Sequence, residues 1–386
     1  MSEYIVASSL IHSMDGWQLL GQAAHAHLNG DPDIARHMAY YAELRGAMSL
    51  LACQGIGVFD SQHFAIDGKR SVKPIPYRSG THVFTWEALD AWISQPSASA
   101  TVLSVVTPGG IAARDWLDAF ARLPGQSGQI AQGWIEGWGL DLKQMILDRK
   151  ARNLSSYRPT AFHSAPATGI SQSLAYINDF WRLSEPSSPS GFATLDAYLL
   201  RQALLRLFKA QEGRSLLQAR RKFERRIEIM VHAIGPRSSA SLDWKQFLLG
   251  EQHPTDPILL TEAAGKLKPE HKGHDLQVIG RATLMLRLAG GACRQLLHTL
   301  PEDERSMLSF WWRPLAEQHG LWPPGNAPSD LSDLWADVEV ALQDASNWTA
   351  NTPAPEQNLS AYSASFPQSM GVLTGAHRAG MWSLGL

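Results

Sequence analysis

Apolar residues recur at helical spacing through most of the chain and shift to shorter spacing in one stretch. Trp17, Leu20 and Ala24 share one side of a segment from about Met14 to Leu28, with Ser13 placed to cap it. Asn29-Gly30 breaks the pattern. Asp31-Pro32 restarts it, an N-cap followed by proline at the first helical position. From Pro32 to Gln54 the positions Ile34, Met38, Tyr41, Met48 and Leu51 fit a second helix, and Gly55 supplies its stop. Between Gly57 and Phe84 the period changes. Phe64-Ala65-Ile66, the turn Asp67-Gly68 and Ser71-Val72 predict a β-hairpin, while Pro74 and Pro76 keep the adjoining residues irregular or at a sheet edge. Helical spacing returns with Trp86, Leu89, Trp92 and Ile93, and a short helix is expected from Ala113 to Leu123. Residues 184–191, rich in Ser and Pro, read as a linker. Beyond it, helices are expected at about 193–210, 214–234, 275–298 and 329–345. After Asn351 the periodicity is poor.

The expected architecture is therefore mainly α, a helical bundle with a small β-hairpin insertion. It divides into four segments: 1–95, a helical pair plus hairpin; 96–190, an irregular helical and loop insertion; 191–350, a helical domain; and 351–386, a coil-like tail.

Composition narrows the classes. Of 386 residues, 44% are hydrophobic, ample for a core and against global disorder. Lys and Arg number 34 against 36 Asp and Glu, a net charge of −2, which excludes a globally basic nucleic-acid binder but not a local basic patch. The only cysteines, Cys53 and Cys293, exclude a disulfide framework and fit a reducing cytoplasm. No apolar run reaches the roughly 18 residues a membrane helix needs, and no signal peptide is read at the N-terminus, so no membrane association is expected. His25 and His27 point to different sides of a helix. His271 and His274, with Glu270, sit beside Pro269 and Gly273 in what reads as a loop, and no cysteine joins either pair. No metal and no cofactor is expected.

The local patch exists. Between Arg201 and Arg237 lie eight Arg and two Lys against three Glu. On a helical wheel Arg221, Arg225, Glu228 and His232 fall within about 60° of one another. Phe223, Ile227, Met230 and Ile234 fall opposite. One helix thus buries an apolar stripe and presents Arg, Arg, Glu and His on the other side. Three readings stay open. The face is a solvated one laced by Glu–Arg pairs at i, i+4. Or it binds phosphate through guanidinium forks, with Arg214, Arg220, Arg221 and Lys222 contacting nucleic acid. Or it is catalytic: Arg225 or Arg226 holds a scissile phosphate, His232 moves a proton from a ribose 2′-hydroxyl, and Glu228 orients the ring.

The segment Ala35-Arg36-His37-Met38-Ala39-Tyr40-Tyr41-Ala42-Glu43-Leu44-Arg45-Gly46-Ala47-Met48-Ser49-Leu50-Leu51 resembles the second core helix of HEPN-superfamily domains, and YaaC-like relatives offer a further comparison. Those domains show an Ala-x-x-x-Ala-Tyr-Tyr-Ala pattern, a small and apolar stretch, a Gly and soon a His; here Gly55-Ile56-Gly57 and His63 come in that order. The resemblance implies an RNase of bacterial toxin–antitoxin or antiviral defence systems, marked by Arg and His with four to six residues between them. Arg226-x5-His232 and Arg225-x6-His232 both have that spacing. It also implies a homodimer in which two such helices form one site, and metal-independent cleavage. Family members without activity serve as binding or dimerisation modules.

Fourteen tryptophans are a heavy load, several beside Gly or Pro, as in Gly133-Trp134-Ile135-Glu136-Gly137-Trp138-Gly139 and Trp311-Trp312-Arg313-Pro314. They read as core fillers, as anchors for a protein partner, or as stacking platforms for single-stranded bases. The anchoring version gives the competing function: a non-catalytic scaffold or adaptor subunit docking through Trp-rich loops.

Overall fold

A computed structural model describes residues 1–121, 142–157, 169–186, 191–213, 216–236, 242–265 and 274–384. It is mainly α with one small antiparallel sheet. Helix α1 (Ser2–Leu28) and α2 (Pro32–Cys53) form the expected pair, joined by a turn in which the Asp31 side chain accepts from the Ile34 amide at 3.0 Å. α1 begins at Ser2, well before the expected Met14, and Ser13 is buried within it rather than capping it. The reason is local: Ser8 and Ser9 donate their hydroxyls to the carbonyls of Ile5 and Val6 at 2.7 and 2.6 Å. Polar residues satisfied in this way travel inside a helix and hide its period.

Of the positions expected to face inward on α2, Met48 and Leu51 are buried and Met38 and Tyr41 half-buried, but Ile34 is 49% exposed, and a second face of Ala35, Ala39, Ala42, Gly46 and Ser49 is buried as well. This small-residue face meets α12 (His274–His298), the central helix, in which every residue from His274 to Cys293 is buried. A Cβ on Gly46 would sit 2.8 Å from Met285 Cγ, and one on Gly16 2.5 Å from Leu286 Cδ2, so glycine sets how closely the three helices approach. Cys53 and Cys293 meet across the same seam, Sγ to Sγ 3.5 Å.

The hairpin is present with a third strand. β1 (Ile56–Phe59), β2 (Gln62–Ile66) and β3 (Val72–Pro74) lie in that order, Phe59 opposite Gln62 and Ile66 opposite Val72. Asp67 organises the turn by accepting from the amides of Lys69 and Ser71, each at 2.9 Å. Pro74 sits on the edge strand, as a residue without an N–H must.

The next elements are α3 (Thr81–Ile93), α4 (Pro96–Val105), α5 (Ala113–Ala121), α6 (Leu142–Tyr157), α7 (Ile170–Leu183), α8 (Ala193–Glu212), α9 (Leu216–Ile234), α10 (Trp244–Leu248) and α11 (Ile258–Ala263). After α12 come α13 (Glu302–Met307), α14 (Ser309–Gln318), α15 (Leu334–Asn351), α16 (Leu359–Ser365), α17 (Pro367–Leu373) and α18 (His377–Leu384). The last three correct the expectation of a coil-like tail. They are too short to show a period, but Asn358 caps the first, Pro367 opens the second, and the third is buried throughout its described side chains from Arg378 to Leu384. One hydrophobic cluster runs through these elements from Trp17 to Trp382. Among the described residues, no helix is long and apolar enough to cross a membrane.

Candidate basic face on helix nine

The Arg-rich helix forms as its period dictates. Phe223, Ile227 and Met230 are buried, and Phe223 packs edge-on against Phe120 of α5 and Phe208 of α8, ring centroids 5.9 and 5.1 Å away. That stripe turns the opposite side outward. Arg221, Arg225, Glu228 and His232 are all exposed.

Tertiary neighbours then sort the cations. Arg226 lies across the edge of the face: it donates to Gln211 and Glu212, both at 2.7 Å, with its guanidinium over the rings of Phe120 and Phe208 at 5.7 and 5.6 Å. It clamps α9 to the end of α8. Lys222 shares Glu212 at 2.6 Å. Arg220 is held by Glu224 at 2.7 Å and Glu251 at 3.1 Å, both favouring its charged form. Arg201 is buried, donating to the His253 carbonyl at 2.7 Å and stacked on Tyr198 and Phe247. Arg214 and Arg237 lie outside the described residues.

Glu228 does not orient His232. Its carboxylate accepts from Lys245 of α10 at 2.8 Å, and that bond, with Arg225 nearby, holds its pKa below the ordinary range. The i, i+4 spacing brought the two residues to one face, but the Glu228 carboxylate goes instead to a lysine seventeen residues on. What remains is Arg221, Arg225 and His232: adjacent on the wheel, exposed, and without a hydrogen bond or ion pair among the described residues.

The described tryptophans follow the core-filling reading. All eleven whose side chains are described are buried: Trp17, Trp86, Trp92, Trp116, Trp181, Trp244, Trp312, Trp322, Trp335, Trp348 and Trp382. Trp312 stands edge-on to Trp322 at 6.1 Å. Trp134 and Trp138 lie outside the described residues, as does the side chain of Trp311. Among the histidines, His27 is buried 2.7 Å from Asp275, and His274 opens α12 with its ring 3.1 Å from Asp148 rather than standing in a loop. His271 lies outside the described residues. No group of three His, Cys, Asp or Glu side chains able to hold a metal occurs among the described residues.

Sequence reasoning does not find the buried ion pairs. Arg281 of α12 donates to Asp148 of α6 at 2.6 Å, and its Nε lies 3.9 Å from Glu43 of α2, all three wholly buried. Neither Glu43 oxygen has a hydrogen-bond partner among the described residues. Burial and the nearby Asp148 carboxylate raise the Glu43 pKa to about 8, outweighing Arg281, which is too distant to bond. The signal was an arginine inside the apolar run Val278-Ile279-Gly280-Arg281-Ala282, at a helix with no polar side to receive it.

These buried charges make stability depend on pH. A carboxyl whose pKa rises on folding stabilises the native state fully below its unfolded value, and that contribution is lost as pH climbs through the folded value. Between pH 4.5 and about 8, wild type is expected to lose stability relative to Glu43→Gln with a slope of up to about 1.4 kcal/mol per pH unit. Urea titrations of both proteins at several pH values measure it. Parallel curves would mean that Glu43 is ionised throughout.

No protein-family model, no curated protein and no solved structure matches this chain.

Proposed function

We propose that this is a HEPN-like RNA-binding protein of the bacterial defence or toxin type, which engages the phosphate backbone through α9. One observation carries the reading: Arg221, Arg225 and His232 stand together on an exposed face, and neither arginine is occupied by a carboxylate among the described residues. Guanidinium forks left without an internal partner suit phosphate oxygens, and the neighbouring Arg220 and Lys222 add positive charge alongside their own pairs. The Tyr-Tyr helix α2, packed between α1 and α12, is the part of the chain that carries the family resemblance.

The catalytic version is a metal-independent endoribonuclease. Arg225 holds the scissile phosphate and His232 acts as general base on the 2′-hydroxyl. Arg226 is committed to Glu212 and acts as a positioning residue for the helix. Cleavage also needs a proton for the departing 5′-oxygen. Glu228, bound to Lys245, is poorly placed to give one, so His232 of a second copy in a homodimer serves as the acid.

The test is RNA cleavage in excess EDTA by wild type and by His232→Ala, a substitution at an exposed residue that is expected to leave the fold intact. Cleavage leaving 2′,3′-cyclic phosphate ends, abolished in the variant, establishes the nuclease. Salt-sensitive RNA binding without cleavage keeps the binding function alone. Absence of RNA binding at low salt overturns the proposal.

A further inference from the structure

A concave site lies beside the first helical pair. α1, α2, the β1–β2 turn and the start of α3 enclose a cleft of about 430 Å³, within the range of small-molecule sites. Aromatic side chains line two of its sides: Tyr4 and Phe59, with ring centroids 5.2 Å apart, and Tyr41 and His82, 5.5 Å apart and edge-on. Arg45 of α2 also lines it, its side chain 35% exposed.

Arg45 donates one N–H to His12 Nδ1 at 3.0 Å and is ion-paired with Asp15, whose carboxylate oxygen stands 3.8 Å from its Nε, too far for a hydrogen bond. Because Nδ1 accepts, His12 is neutral with its proton on Nε2; burial and Arg45 press its pKa down to about 4. His82 Nδ1 lies 3.0 Å from the Tyr40 hydroxyl, which also accepts from Trp86 Nε1 at 3.2 Å. Burial and then Arg152, Arg149 and Arg45 lower the His82 pKa. The N-terminus of α3, which has no side-chain cap, adds partial positive charge at Thr81 and His82. Against these stands Asp60 on the rim, with Asp15 beside Arg45.

We infer that the cleft binds a small aromatic carboxylic acid, its ring against Tyr41 and Phe59 and its carboxylate on the guanidinium of Arg45. A single fork facing the cleft matches one carboxylate in bidentate geometry. A phosphate dianion would bring a second charge towards Asp60, and the cleft disfavours it. This site shares no residue with the α9 face, so each can fail without the other.

Indole-3-acetate is the probe, titrated by calorimetry into the full chain beside indole and adenosine monophosphate. Indole-3-acetate is expected to bind, with affinity falling about tenfold or more in Arg45→Met, the loss typical of a charge-assisted hydrogen bond. Indole and the nucleotide are expected to bind more weakly than the acid. Tyr4→Ala, at a residue 62% exposed and safe for folding, should also weaken the acid. Arg45→Lys guards against a folding defect: it keeps the charge, and affinity between wild type and Arg45→Met supports a fork-specific contact. No binding at millimolar acid, equal binding by wild type and Arg45→Met, or tighter binding of the nucleotide overturns the inference.

Discussion

Asp196→Ala is expected to lower the stability of the protein by about 3–5 kcal/mol, the cost of leaving a buried charge without its partner. Asp196 of α8 is wholly buried and takes two bonds from Arg287 of α12, Nε at 3.0 Å and Nη2 at 2.7 Å. It also accepts from the Thr107 amide at 2.7 Å, so one carboxylate joins α8, α12 and the turn after α4. Arg287 in turn donates to the Val105 carbonyl at 2.6 Å and lies over the Phe192 ring at 5.0 Å. Removing the carboxylate leaves a buried guanidinium without its counter-charge. Asp196→Leu combined with Arg287→Met, which removes both charges and keeps volume, is expected to recover most of the loss. Chemical denaturation of wild type and both variants measures this; a loss under about 1 kcal/mol for Asp196→Ala would show that the core relaxes enough to admit solvent.

The second large effect follows from the proposed RNA-binding function of α9. Arg221→Glu with Arg225→Glu should lower affinity for single-stranded RNA by about ten- to hundredfold near 0.1 M salt, and flatten the slope of log K against log salt by about 1.4, two phosphates at about 0.7 each. Both residues are exposed and outside any ion pair among the described residues, so stability should stay within about 0.5 kcal/mol of wild type. Arg220→Gln with Lys222→Gln is the contrast. Those cations are engaged by Glu224, Glu251 and Glu212, and their loss should cost less affinity. Fluorescence anisotropy across a salt series separates the cases. Equal losses from the two double variants would move the contact away from the Arg221 and Arg225 side of α9.

Much of the fold is legible along the chain, because caps, turns and apolar periods are local. Asp31-Pro32 starts α2 as expected, Asp67 builds the turn of the hairpin, and the stripe Phe223, Ile227 and Met230 faces inward. Legibility fails where the buried face is made of small or polar residues, as in α1 and α2, whose serines and alanines carry no hydrophobic signal yet allow the closest helix contacts. It fails again after Asn351, where each helix is too short to repeat a period.

The candidate site divides along the same line. That Arg221, Arg225, Glu228 and His232 share an outward face is a consequence of 3.6 residues per turn and an apolar stripe opposite. Which of them keeps a free side chain is not, because ion pairs depend on distance in space. Glu228 goes to Lys245, Arg226 to Glu212 and the rings beneath it, and Arg281 to an aspartate 133 residues away. The Arg45 cleft likewise gathers α1, α2, a strand turn and α3. Helical phase is a property of neighbours in the chain; charge pairing and enclosure arise only when distant segments meet.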